Sequence, residues 1–270
     1  MLAGASKTFP SGSAVTRSLH ILLDGLVDYA GLFPPAALSM GKAVASYEEY
    51  RRSPQAWALG RFVVPVERLG EVPRSFPVSV LATPDTMPGV DVVEVKAASA
   101  ADVDRIAAAR GSRTVYVEIT DLALLDSIAG HGLRAKFRTG GITAEAFPPA
   151  ETIAAFLRGC SERGIPFKAT AGLHHPIRCV RPLTYEANAP TGRMHGFLNV
   201  FIAAAIPEFA TQILQEDNPR AFGFDDGGLW WHDLRVTCEE LVRVREDFAI
   251  SFGSCSFEEP LREIQEYGWL

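Results

Sequence analysis

With 270 residues, 47% of them hydrophobic, and a formal charge of −6, the chain can bury one large core and presents no basic run suited to nucleic acid. Cys160, Cys179, Cys238 and Cys255 form neither a CxxC pair nor the spacing of a secreted disulfide framework, so a reducing compartment is expected. No apolar run reaches the roughly 18 residues of a membrane span, and Lys7 is followed by Pro10, Gly12 and Ser13 rather than by an apolar signal segment, so a soluble cytoplasmic protein is expected.

Residues 1–16 are rich in Ser, Gly and Ala and are expected to fray. A helix is predicted near 17–30, where Leu19, Leu22, Leu23, Leu26 and Val27 recur at helical spacing. It runs into Asp28-Tyr29-Ala30-Gly31-Leu32-Phe33-Pro34-Pro35, whose two prolines stop it. The 28–36 loop, with its Tyr, Leu and Phe, reads either as a plug over one end of a core or as a segment that carries Asp28 or Tyr29 to a site. A second helix is predicted at about 42–52. From Arg61 onward, short apolar runs alternate with amphipathic ones. Strands are predicted at 61–66, 77–82, 91–97, 113–119, 133–138, 165–170, 220–225 and 248–252. Helices are predicted at 100–110, 121–130, 149–163, 195–215, 233–246 and 257–267. Eight strands alternating with helices predict an α/β fold, a single closed (β/α)8 barrel spanning 61–270, with residues 1–60 as an N-terminal tail and helical extension packed on it. The runner-up, an open doubly wound sheet, lacks a Gly-x-Gly-x-x-Gly after a first strand.

The chemistry should sit at the C-terminal ends of the strands. Lys136 and Arg138 stand two apart on one run, and Lys168 and Thr170 two apart on the next, so each pair projects to one face. The opposite faces hold Ala135, Phe137, Phe167 and Ala169, which suit packing against helices. The chain has only five lysines, and three of them, Lys96, Lys136 and Lys168, lie in such runs, which points to placement for chemistry. Glu94 and Glu118 complete a polar set that a packed barrel would fill with Val, Ile or Leu; the competing reading is an ion-pair network that holds the barrel together. Lys168, enclosed beside Lys136 and Arg138, is expected to have a depressed pKa and to act as an amine nucleophile. Glu118 is placed to move protons.

These positions resemble the class I aldolase group of Schiff-base lyases, which carry a lysine on strand six of an eightfold barrel. The run Val92-Val93-Glu94-Val95-Lys96 is also similar to the Glu-x-Arg strand of type I dehydroquinases, with lysine in place of arginine and no histidine at a strand end before the Schiff-base lysine. The resemblance implies a lyase or isomerase acting on a small anionic carbonyl compound, with no cofactor.

Arg138-Thr139-Gly140-Gly141 reads as an anion site, with Thr170, His175 and Ser254 as further substrate contacts. A second anion site is conceivable at Asp225-Asp226-Gly227-Gly228 with Gly253-Ser254-Cys255-Ser256, although turn chemistry explains the aspartates as well. His174 and His175 open a long segment, 171–194, that reads as a lid. His174 is a candidate acid or base. Glu118, His174, His175 and Asp225 are the set for an alternative reading, a lyase or hydrolase that uses one divalent metal ion. Cys255 has no base beside it in the sequence. Asn199 and Trp230-Trp231-His232 read as packing. A non-catalytic small-molecule-binding barrel is the third reading, and a homo-oligomer is expected.

Overall fold

The structure is a computed structural model and describes residues 15–270. Of the segment expected to fray, only Val15 and Thr16 are described, and Thr16 precedes the first helix, α1 (Arg17–Leu23). That helix stops a turn earlier than its apolar spacing predicts. Gly25 takes φ +59°, a left-handed conformation that glycine adopts without steric cost, and turns the chain into β1 (Val27–Tyr29).

Strand β1 changes the count of the barrel. The strands that follow are β2 (Leu59–Pro65), β3 (Val78–Leu81), β4 (Val92–Lys96), β5 (Thr114–Ile119), β6 (Arg134–Arg138) and β7 (Phe167–Thr170). Then come β8 (Cys179–Pro182), β9 (Thr191–Met194), β10 (Phe222–Phe224), β11 (Gly228–Trp231), β12 (Leu234–Thr237) and β13 (Ala249–Ser254). The closed barrel runs β1-β13-β7-β6-β5-β4-β3-β2, and every neighbouring pair is parallel. The fold is therefore the eight-stranded α/β barrel expected, with one exchange of staves. The barrel does not begin at residue 61: β1, from the stretch assigned to a helical extension, supplies a stave, and Lys168 lies on the seventh barrel strand rather than the sixth.

The strand at 220–225 exists but lies outside the barrel. It is β10, which pairs antiparallel with β11, and β11 pairs in turn with β12. The Asp225-Asp226-Gly227 stretch is the turn between β10 and β11, with the N–H groups of Gly227 and Gly228 each donating to Asp225 Oδ1 at 2.8 Å. The remaining helices are α2 (Met40–Tyr50), α3 (Ala100–Ala109), α4 (Leu125–Gly130), α5 (Ala150–Glu162), α6 (Phe197–Ala205), α7 (Ala210–Gln215), α8 (Cys238–Asp247) and α9 (Glu258–Glu266). The long helix expected over 195–215 is broken into α6 and α7 by a short 3-10 turn opened by Pro207.

Strand alternation places the outward residues as expected. Phe137 stacks on Phe156 of α5 at 4.7 Å between ring centroids, and Phe167 meets both Phe156 and Phe201 of α6. The alternate residues face inward, and the register sets Lys96 beside Glu118, Glu118 beside Lys136, Lys136 beside Lys168, and Lys168 beside Ser251. No helix among the described residues is long and apolar enough to cross a membrane.

Candidate active site

The inward residues join into a chain of alternating charge. Lys96 Nζ lies 3.7 Å from Glu118 Oε1, and Glu118 Oε2 lies 2.7 Å from Lys136 Nζ. Lys136 also reaches Glu94 Oε2 at 2.6 Å, and the other oxygen of Glu94 takes Lys168 Nζ at 2.5 Å. Lys168 then donates to Asp28 Oδ2 at 2.6 Å. Ser79 Oγ donates to Glu94, Ser251 Oγ donates to Asp28 Oδ2, and the Arg61 N–H donates to Asp28 Oδ1. Asp28, Glu94, Glu118, Lys136 and Lys168 are all buried. Three ammonium groups against three carboxylates leave the row formally neutral, and each of the four inner charges, Glu118, Lys136, Glu94 and Lys168, has opposite charges on both sides that offset its burial.

This arrangement overturns the expected depression of the Lys168 pKa. Lys136 and Lys168 are register neighbours as anticipated, but Glu94 sits between their ammonium groups. Burial alone would push the Lys168 pKa down; the charges of Asp28 and Glu94, and the hydrogen bonds they accept, outweigh it and hold the ammonium well above its ordinary range. For Glu94, burial pushes up, but Lys136 and Lys168 together hold the carboxyl well below the usual carboxylate range. Lys168 is a buried ammonium rather than a free amine.

Above this row opens a cavity of about 400 Å³, lined at its floor by Glu94, Glu118, Lys136 and Lys168 and elsewhere by Lys96, Arg138, Thr170 and His174. Phe33, Pro34 and Pro35 form part of the wall. The 28–36 segment therefore does both things that its sequence suggested: its aromatic and proline residues cover the barrel mouth, and Asp28 enters the buried charge row. Tyr29 is fully buried against Tyr47, Tyr50 and Phe62 and packs rather than lining the cavity. Arg138 is exposed at the mouth, and among the described residues no carboxylate lies within 4 Å of its guanidinium.

Other expected contacts fall elsewhere. Thr139 is buried and its hydroxyl donates to the carbonyls of Thr170 and Ala171, tying β6 to the end of β7. Gly140 is not in the cavity lining; a Cβ there would run into the ring of Phe147 at 2.4 Å, so glycine is required by packing, and Gly141 is the residue that reaches the cavity. Ser254 is buried, its oxygen accepts from the Ser256 N–H, and it does not line the cavity. His175 turns away, with Nδ1 2.6 Å from Glu263 Oε1, and lines a second cavity of about 390 Å³ that shares His174 and Pro35 with the first. Asp225 is bound by Arg235 at 2.5 Å in the β10–β11 turn and lines neither cavity. The proposed metal set of Glu118, His174, His175 and Asp225 is thus not assembled, and among the described residues no three His, Cys, Asp or Glu side chains are grouped as metal ligands. The 171–194 segment is not a bare loop, since β8 and β9 pair as an antiparallel hairpin within it. Asn199 is structural: it accepts from the Arg178 N–H and donates to the carbonyls of Ile213 and Glu216.

The sequence reading missed the neighbour of Cys255. His174 Nδ1 lies 3.9 Å from Cys255 Sγ and 3.4 Å from Glu259 Oε2, and the Tyr185 hydroxyl donates to the same carboxylate oxygen at 3.1 Å. Burial would lower the His174 pKa, but Cys255 and Glu259 raise it to about 9. A folded-state pKa above the unfolded value of 6.5 means that the folded protein holds a proton which the unfolded chain releases. The stability from this site should be complete below about pH 6.5 and should be lost as pH rises through 9, by about 3 kcal/mol. Denaturant titrations across that range check it, and a slope that persists unchanged in His174→Gln would assign the loss to another group.

No family model matches the chain, and no curated protein matches it. Among solved structures it is similar to lysine/ornithine decarboxylase complexed with cadaverine from Vibrio vulnificus, at 14% sequence identity and a TM-score of 0.34. The alignment covers 57% of this chain and 48% of that chain, so the match spans about half of the decarboxylase. A likeness of this size carries no argument about activity.

Proposed function

We propose that the chain is an enzyme, a lyase or isomerase that acts on a small anionic carbonyl compound. The observation that carries this reading is the pairing of opposite roles in one cavity: Arg138 stands at the mouth without a carboxylate partner among the described residues, above a floor where Lys136 and Lys168 share Glu94. An anionic group of the substrate would be met by the Arg138 fork, with Lys96 beside it. Its carbonyl oxygen would then lie toward the ammonium groups. There a developing enolate is stabilised by charges already fixed in a poorly solvated place. Glu118, whose carboxylate faces both Lys96 and Lys136, is the base that takes the proton from the neighbouring carbon in an isomerase, or from the hydroxyl that becomes a carbonyl as the carbon–carbon bond breaks in a lyase.

The charges of the resting site favour this ammonium route over a Schiff base on Lys168. An attacking amine would first have to pass its proton to Asp28 or Glu94, against the balance that holds it on nitrogen. The test is a panel of 2-oxo acids and sugar phosphates incubated with the protein in heavy water and followed by NMR. Loss of the proton next to the carbonyl, or cleavage, is the expected result. No exchange and no turnover across the panel would overturn the reading. Borohydride added to the same mixtures should leave Lys168 unmodified; a stable mass adduct on Lys168 would replace the ammonium route with the covalent one.

A further inference from the structure

We propose that Cys255 and His174 form a reactive thiol–imidazole pair in the cavity wall, a modification site for small electrophilic carboxylic acids. The proposal stands on this pair and does not rest on the lyase or isomerase reading. Cys255 follows β13 and His174 follows β7, two adjacent staves, so the barrel brings together side chains that lie 81 residues apart. Both line the 400 Å³ cavity that also holds Arg138, and Cys160, Cys179 and Cys238 do not. The imidazole is in turn oriented by Glu259 from α9, which also receives the Tyr185 hydroxyl from the β8–β9 hairpin. Tyr185 itself stands 3.7 Å from the sulfur, and Tyr29 of β1 is the other titratable group that faces it. A cation beside a sulfur favours thiolate, the form that attacks electrophiles. His174 is protonated at neutral pH and provides that cation. At the other three cysteines burial outweighs the nearby guanidinium groups of Arg163, Arg181 and Arg17, and pushes Cys160 up to about 12 and Cys179 up to about 11, with Cys238 also raised.

The chemistry balances without an oxidant. The thiol proton rests on His174, the sulfur forms a bond to the carbon that bears a halide, and the halide leaves with the bonding electron pair. Arg138 in the same cavity gives the carboxylate of the reagent a partner, which selects an acid over a neutral electrophile of the same size.

The experiment treats the full-length protein with iodoacetate or iodoacetamide and follows each cysteine by peptide mass spectrometry. At pH 7, Cys255 should be alkylated at least about tenfold faster than the other three cysteines. Iodoacetate should gain on iodoacetamide at Cys255 relative to its behaviour with a free thiol. His174→Gln should slow Cys255 by about tenfold while the melting curve shows a folded protein. Should that variant fail to fold, the wild-type rate of Cys255 against the other three cysteines decides alone. A rate no faster than that of Cys179 would overturn the pair. Rapid alkylation with no gain for iodoacetate would keep the reactive thiol and remove the preference for acids.

Discussion

Lys168→Met should destabilise the protein by about 3–5 kcal/mol, the cost of breaking a buried ion pair from one side. Methionine matches the lysine stem in volume, so packing changes little, and the loss comes from charge. Asp28 would keep Ser251 and the Arg61 N–H but stay buried with no ammonium beside it, and Glu94 would keep Ser79 and be left to share Lys136 with Glu118. Reading the sequence alone, with Lys136 and Arg138 as the neighbours, the same substitution relieves repulsion and leaves the fold intact; the interposed Glu94 reverses the sign. A fall in melting temperature of roughly 6–20 °C is expected for a domain of this size. The double variant with Asp28→Asn should recover part of it, because removing the stranded carboxylate removes part of the penalty. An unchanged melting curve in Lys168→Met would show that the row does not hold the barrel, and would return Lys168 to a role as a free amine.

Glu118→Gln should separate catalysis from stability. The amide oxygen can still accept from Lys136, which also keeps Glu94, so the stability loss should stay near about 1–2 kcal/mol. A glutamine cannot take a proton at neutral pH, however, and the proton-exchange or turnover rate should drop by about 10²–10⁴-fold. The drop should appear in kcat with little change in KM, since Arg138 rather than Glu118 is proposed to hold the anion. Exchange at the wild-type rate in the folded variant would remove Glu118 from the proton-transfer role.

Legibility of the site tracked the distance over which its signal is written. Glu94 with Lys96 and Lys136 with Arg138 were readable because a strand repeats every two residues, and that period needs only a few positions to show. Asp28 was not assigned to the charge row because β1 is three residues long, buried on both faces, and follows directly on a helix with the same apolar content. With no period to read, Leu26 and Val27 looked like the helix's last turn. Phe222-Gly223-Phe224 failed in the opposite direction. Its apolar character suits a barrel stave, and only the Asp225-Asp226-Gly227-Gly228 run, a hairpin signal taken as a possible anion site, marks it as half of an antiparallel pair. The pairing of Cys255 with His174 has no local trace at all, since it depends on which staves are adjacent.

The placement of β1 between β13 and β2 also bears on the order in which the protein can assemble. Asp28 precedes Lys168 by 140 residues, and of the two strands that flank β1, β13 is made after β2 and ends at Ser254. Until that last stave is made, the row at Glu94, Lys136 and Lys168 has one more cation than its final neutral count, and the edge of β7 stays open. Closure therefore joins Asp28 to Ser251 across 223 residues, a contact of high sequence separation and the kind of step that slows folding. The aspartate that neutralises the floor of the cavity acts in this sense as a latch across 140 residues of chain.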